Sequence, residues 1–225
     1  MEDKNFTYTK FKNRLKNVYR EGWLDLKIPE EYVESVADHI ASSISLVIDY
    51  NKLYNLNLNV AKVSELILVK ELYKAWPNDK EESEKYKNAG SMDVARIKTA
   101  KIVQEFDLGK EVMDLYDEAT KKESEEAKYA VMFTKFESDI QAVMYYEQGL
   151  IKMENVLEDI KWFDEDTRNE ILNIFEKYPI PCLSWLIFDS RYYKENKLFS
   201  KLSNDLINYC INKYELQNNN KNDRR

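Results

Sequence analysis

The stretch VESVADHIASSISLV, residues 33–47, decides the fold of this chain. Its apolar residues recur at intervals of three and four, which is the spacing of one face of an α-helix. We therefore predict a core-facing helix that begins within residues 29–33. His39 lies beside the apolar stripe and is the single histidine of the chain, so the pattern places it at the edge of a buried face.

Helical spacing continues through the rest of the sequence, and no strand-like alternation competes with it. Turn and cap residues divide the chain into further helices. The charged run at 78–93 is predicted to be a surface loop, with Ser91 or Asp93 capping the next helix. The first predicted helix follows Thr7 or Thr9 and ends at Gly22, and the third runs from Asn57 or Asn59 to Leu72. Further helices are predicted at 94–106, 109–121 and 124–149. The later helices are divided near Asp164, Pro179, Pro181 and Asn196.

Composition narrows the class of protein. The chain has 225 residues, 44% of them hydrophobic, with only 4 glycines and 4 prolines, which favours a compact all-α bundle. With a net charge of −7, the chain lacks the excess of positive charge expected of a protein that binds duplex nucleic acid. Cys182 and Cys210 show no metal-site spacing, so we expect free thiols. No apolar run suffices for a membrane span or a signal sequence, so we expect a cytoplasmic protein without a membrane partner.

Two spaced motifs connect the chain to a known family. LKNVYREGW, residues 15–23, followed by VESVADHI, residues 33–40, resembles the opening of the HD-domain family that includes the 5'-deoxynucleotidases. The resemblance continues through LILVKELYKAWPND, residues 66–79, and EEAKYAVMFTKFESDIQAVMYYE, residues 125–147. It implies an HD-domain-like helical bundle, a phosphohydrolase ancestry and a homodimer.

The same resemblance identifies the positions of the family's divalent-metal ligands. His39 is retained, with Ser35 one turn before it, while the His-Asp pair reads Lys70 and Glu71 and the second Asp reads Thr134. A protonated ammonium has no lone pair to donate, so a lysine opposes cation binding. We therefore predict a degenerate metal site and no cofactor, with a divalent metal only if hydrolysis has been retained.

The remaining family positions are also changed in part. The catalytic Glu position reads Lys74, the following acid is kept as Asp79, and Glu137 falls in register on the later helix. Residual catalysis would fall to His39, Glu71 and Asp79.

Lys70 and Lys74 are four residues apart and share a helix face, so with Arg20 and Trp23 they are predicted to form a basic, partly aromatic pocket for a phosphate ester. Three further residues complete the predicted ligand-binding set, which comprises Arg20, Trp23, Ser35, His39, Lys70, Lys74 and Glu137. Two alternatives stay open. In the first, Arg20, Lys70 and Lys74 are solvated or paired with Glu71 and Asp79, and in the second, Trp23 and Trp76 are packing residues.

We divide the chain into an HD-like domain at 1–150, a C-terminal helical extension at 151–216 that packs on it, and a disordered polar tail at 217–225. The extension is rich in large apolar residues, including Trp162, Trp185 and Leu186. Such residues pack in a core or form a protein interface.

Three functions follow from these observations. The first is a catalytically degenerate HD-domain protein, a pseudoenzyme, that binds a nucleotide or related phosphate ligand. The second is a divergent phosphohydrolase with weak activity on nucleoside phosphates. The third is a regulatory interaction module with a vestigial pocket.

Overall fold

The computed structural model describes residues 3–77 and 90–222, with side chains described up to residue 219. Within these ranges the chain forms α-helices, short 3₁₀ helices and one isolated antiparallel bridge between Tyr19 and Ser35. The predicted all-α fold is confirmed. None of the described helices is long and apolar enough to cross a membrane.

The helices are numbered in chain order. Helices α1 to α11 span Lys4–Lys12, Glu21–Asp25, Val36–Leu53, Val60–Glu71, Ser91–Glu105, Glu111–Lys121, Glu125–Glu147, Met153–Asp159, Glu165–Lys177, Leu183–Ser190 and Lys197–Asn222. The 3₁₀ helices span Asn13–Asn17, Glu30–Tyr32, Leu72–Ala75 and Ile160–Trp162.

Side-chain caps fix several of these helix starts. The Ser35 hydroxyl accepts a hydrogen bond from the Asp38 amide at 3.1 Å, and Asp38 accepts one from the Ser35 amide at 3.0 Å, which is a complete capping box. Asn59 caps α4 and Asp164 caps α9, each by accepting a backbone N–H bond. The boundaries predicted at Asn59 and Asp164 are confirmed.

The predicted C-terminal end of the first helix, at Gly22, is wrong. After α1 the chain tightens into the 3₁₀ helix at Asn13–Asn17 and becomes extended at Val18, so Gly22 lies inside α2 and ends nothing. A Cβ atom added at Gly22 would lie 2.9 Å from the Trp185 ring, so glycine is required there by close packing. Helix α3 likewise begins at Val36, later than predicted, because Ser35 supplies its cap.

Two other expectations need correction. Helix α5 begins at Ser91 with Gly90 in the N-cap position, so neither Ser91 nor Asp93 caps it. Helix α11 extends to Asn222, so residues 217–222, which we expected to be disordered, are helical. Most of the predicted loop at 78–93 lies outside the described residues.

The chain divides into two compact units. The first comprises Met1–Arg20 and Glu34–Thr134, and the second comprises Glu21–Val33 and Lys135–Arg225. These units do not coincide with the domains at 1–150 and 151–216, and that division stays a prediction.

The core of the first unit forms where α4 packs against α3 and α6. Val47, Val63, Leu66 and Ile67 are fully buried there. Since α4 also carries Lys70 and Glu71 near its C-terminal end, this packing fixes the position of both residues.

The core of the second unit is largely aromatic. The Trp23 ring is fully buried, stacks on Trp185 at a centroid distance of 4.1 Å and meets the edge of Tyr145 at 5.2 Å. Leu186 is fully buried as well, whereas Trp162 is 88% exposed. The apolar C-terminal segment therefore contributes mainly to the core of its own unit.

Candidate functional site

A short antiparallel pairing of backbone positions Arg20 in the first unit. The Arg20 amide donates to the Glu34 carbonyl at 3.2 Å, and the Val36 amide donates to the Val18 carbonyl at 2.7 Å. These bonds align the extended segment after the Asn13–Asn17 3₁₀ helix with the start of α3. The Arg20 side chain is thereby brought beside the first turn of that helix.

The Arg20 guanidinium contacts the side chains of Glu34 and His39. Its Nη1 atom donates to Glu34 Oε1 at 2.8 Å and lies 2.9 Å from His39 Nδ1. A guanidinium can only donate, so His39 Nδ1 accepts and the ring proton resides on Nε2. The arrangement therefore requires a neutral imidazole.

Electrostatics agree with this assignment. His39 is 3% exposed, and burial lowers the pKa of its imidazole well below the usual value of 6.5. The positive charges of Arg20, Lys74 and Lys70 lower the pKa further, and Glu71 opposes them. His39 is thus a buried neutral group at ordinary pH.

Glu71 is the last residue of α4, where the α-helix tightens into the 3₁₀ helix Leu72–Ala75. Residues three apart align in a 3₁₀ turn, and the Lys74 Nζ atom lies 2.6 Å from Glu71 Oε2. The Lys70 Nζ atom lies 3.9 Å from Glu71 Oε1. One buried carboxylate is therefore paired with two ammonium groups.

This pairing sets the charge of Glu71. The residue is 6% exposed, and burial by itself raises the pKa of the carboxyl. The charges of Lys74 and Lys70, together with His39 and the hydrogen bond from Lys74, outweigh burial and lower the pKa to about 2. Glu71 is an anion that the neighbouring lysines stabilise.

The first unit brings together most of the predicted binding residues. Arg20 contacts His39, and Lys70 and Lys74 pair with Glu71; the charges of this second group influence the pKa of His39, so the two groups form one electrostatic cluster. The prediction that the lysines pair with Glu71 is confirmed. Sequence reasoning missed Glu34, because its contact with Arg20 depends on a backbone pairing that no residue spacing marks.

The other predicted residues belong to a helix cap, to the second unit or to the undescribed segment. The Ser35 hydroxyl donates to Asp38 Oδ2 at 2.7 Å within the cap of α3. Trp23 and Glu137 belong to the second unit, where Trp23 has the packing contacts of the alternative interpretation. Asp79 lies outside the described residues, so its role stays a prediction.

Four residues, His39, Lys70, Glu71 and Thr134, stand at the positions that the family resemblance implies as metal ligands. His39 Nδ1 accepts from Arg20, and the Glu71 carboxylate is neutralised by two lysines. Lys70 offers no lone pair, and the Thr134 hydroxyl donates to the Val131 carbonyl at 2.9 Å.

The comparison with family models identifies the class of protein as a phosphohydrolase-type superfamily. The chain belongs to the HD domain family, whose model matches residues 12–175. No curated protein matches the chain.

Two solved structures share the fold. A conserved hypothetical protein from Pyrococcus furiosus is 23% identical with a TM-score of 0.51, and the match covers 76% of this chain and 99% of that one. The PH0347 protein from Pyrococcus horikoshii is 21% identical with a TM-score of 0.53, covering 74% and 95%. At this identity the similarity extends to the fold alone, and the 5'-deoxynucleotidase branch stays a prediction.

Proposed function

We propose that this chain is a catalytically degenerate HD-domain protein that binds a nucleotide or related phosphate ligand without metal-dependent hydrolysis. The observation that carries the proposal is the pairing of Lys70 and Lys74 with buried Glu71, at positions where the family resemblance implies a metal ligand and a catalytic acid. In this proposal the ammonium groups of Lys70 and Lys74 provide the positive charge that a metal ion would otherwise provide.

The charge of the cluster suits an anion. Arg20, Lys70 and Lys74 supply positive groups, beside the negative Glu34 and Glu71 and the neutral His39. The Lys70 and Lys74 side chains are 29% and 30% exposed, so both can reach a ligand while still contacting Glu71. Charge-assisted hydrogen bonds from such donors are the usual means of holding phosphate.

The contacts in this cluster support phosphate binding but not metal-dependent hydrolysis. Metal-dependent phosphoryl transfer uses the ion to activate water and to stabilise the developing charge. His39 Nδ1 is engaged by Arg20, and the carboxylate of Glu71 has its pKa lowered to about 2, which makes it a weak base. Binding can therefore persist in this cluster where family hydrolysis does not.

Thermal unfolding with a panel of nucleoside mono-, di- and triphosphates tests the proposal. A ligand that binds the folded state raises the melting temperature as its concentration exceeds the dissociation constant. We expect stabilisation of the wild type and a loss of about tenfold in affinity in Lys70→Gln, as one charge-assisted contact is removed. Absence of stabilisation by every phosphate compound at millimolar concentrations would contradict the proposal.

Lys62→Gln is the matched control, because Lys62 is another half-buried lysine of α4 and pairs with Glu118 at 2.8 Å. We expect it to bind like the wild type. Equal weakening in Lys62→Gln and Lys70→Gln would mean that binding is non-specific. Lys74→Gln removes the other lysine of the pair. If this variant unfolds, Lys74→Arg keeps a positive charge beside Glu71 and tests the geometry alone.

Phosphate release separates this proposal from the divergent-hydrolase alternative. With added manganese, cobalt or magnesium we expect no release above the protein-free blank. Metal-dependent release that His39→Ala abolishes would establish the hydrolase instead.

A further inference from the structure

A cavity lies in the first unit, and it shares no lining residue with the cluster of Arg20, Lys70 and Lys74. Its volume is about 600 Å³. Such a volume suits a small organic molecule. Three aromatic residues, Phe11, Trp76 and Phe106, contribute to its lining.

The aromatic residues come from three separate elements and form one wall. Phe11 belongs to α1, Trp76 follows the Leu72–Ala75 3₁₀ helix, and Phe106 follows α5. The Phe11 ring centroid lies 4.9 Å from that of Phe106 and 6.2 Å from that of Trp76. Packing between these rings fixes their orientation in the absence of a ligand.

Basic side chains lie at the edge of the same cavity. Lys10 and Arg14 both line it, are exposed and are separated by four residues. The Arg14 guanidinium carbon lies 5.5 Å from the Phe11 ring centroid, and Lys101 Nζ lies 5.9 Å from that of Trp76. Among the described residues that line this cavity, Glu105 is the one acidic side chain. The cavity therefore combines an aromatic wall with an excess of positive charge.

We propose that this cavity binds a small organic anion that carries a planar aromatic ring. The ring would pack against Phe11, Trp76 and Phe106, and the anionic group would accept hydrogen bonds from Lys10 and Arg14. An aromatic carboxylate and a nucleoside phosphate share this chemistry. The site is independent of the phosphate-binding site proposed above.

Calorimetric titration of the full chain tests the proposal with two probes, indole-3-acetate and adenosine 5'-monophosphate. Inorganic phosphate and adenosine are control ligands, because phosphate carries the charge without the ring and adenosine carries the ring without the charge. We expect saturable binding of at least one aromatic anion and an affinity at least about tenfold lower in Arg14→Glu. Binding of indole-3-acetate alone identifies the carboxylate as the ligand class, and binding of the nucleotide alone identifies the phosphate.

Lys16→Glu is the matched control, since Lys16 is exposed, belongs to the same 3₁₀ helix as Arg14 and does not line the cavity. It should bind like the wild type. Equal loss in Arg14→Glu and Lys16→Glu, or no saturable binding of either probe at millimolar concentrations, would overturn the proposal. Circular dichroism of each variant checks that it is folded.

A fluorescence change on binding that disappears in Trp76→Phe, while the heat of binding remains, supports ligand placement beside Trp76. Lys70→Gln separates the two proposed sites. Binding that is lost in Arg14→Glu and kept in Lys70→Gln supports the cavity. The opposite pattern overturns this inference and leaves the proposed function intact.

Discussion

The Lys74 ammonium lies 2.6 Å from the Glu71 carboxylate, at the point where α4 changes into a 3₁₀ helix. Glu71 is buried, and Lys70 approaches its other oxygen at 3.9 Å. The Glu71 carboxylate therefore pairs with two ammonium groups of the chain itself. The pairing accounts for the charge of Glu71.

Replacement of Glu71 by Gln should remove one source of acid sensitivity. Its pKa is lowered from 4.5 to about 2 in the folded protein, so the stabilisation is fully present above pH 4.5 and is lost as the pH falls toward 2. The loss corresponds to roughly 3 kcal/mol. Urea unfolding of both proteins at neutral pH, near pH 4.5 and near pH 3 measures it, and parallel pH profiles would contradict the assignment.

His39 should remain neutral, with its proton on Nε2. Burial is the largest cause of its lowered pKa and Arg20 is the next. Arg20→Gln should therefore raise the pKa while leaving it below 6.5. Nitrogen chemical shifts of the single histidine, followed through a pH titration, measure both the tautomer and the pKa. Lys16→Gln serves as the control, and an Nδ1-protonated ring would refute the contact with Arg20.

Asp139→Asn should stabilise the protein at neutral pH. Asp139 is fully buried, accepts a 2.6 Å hydrogen bond from the Tyr193 hydroxyl, and lies within the electrostatic influence of Asp189, Lys135 and Glu137. Burial and then the charge of Asp189 raise the pKa of Asp139 well above 3.8. The wild type therefore loses stability as the pH rises above 3.8 through the folded pKa.

The advantage of Asp139→Asn should grow by roughly 1.4 kcal/mol per pH unit across that window. Urea unfolding between pH 4 and pH 8 is the measurement. Tyr193→Phe should instead destabilise by about 1–3 kcal/mol, as a buried acceptor loses its donor. A constant difference between wild type and Asp139→Asn would show that Asp139 is ionised in the fold.

Gly22→Ala should destabilise the second unit, since the new methyl group would lie 2.9 Å from the Trp185 ring. Overpacking of this kind costs about 1–3 kcal/mol. Gly90→Ala is the matched control, because its Cβ would meet only Asp93 Oδ2 at 3.5 Å, an ordinary contact. Thermal unfolding compares the two variants, and equal melting temperatures would contradict the packing of Gly22 on Trp185.

Periodicity predicted the helices well where local chemistry sets their bounds. Helices α4 and α9 begin beside Asn59 and Asp164, where helix boundaries were predicted, because each short polar side chain accepts a hydrogen bond from a free backbone amide. Gly22 misled the prediction because its requirement comes from Trp185, which is distant in sequence. Residues 217–222 likewise continue α11 despite their polar composition.

The sequence by itself determined the all-α class and membership of the HD domain family. Both depend on residue type and on spacing along the chain. Only the tertiary structure decided that Glu71 is an ionised partner of Lys74, that His39 accepts from Arg20, and that Glu34 joins them. Charge state and hydrogen-bond direction depend on burial and on neighbours from other segments, which helical spacing does not encode.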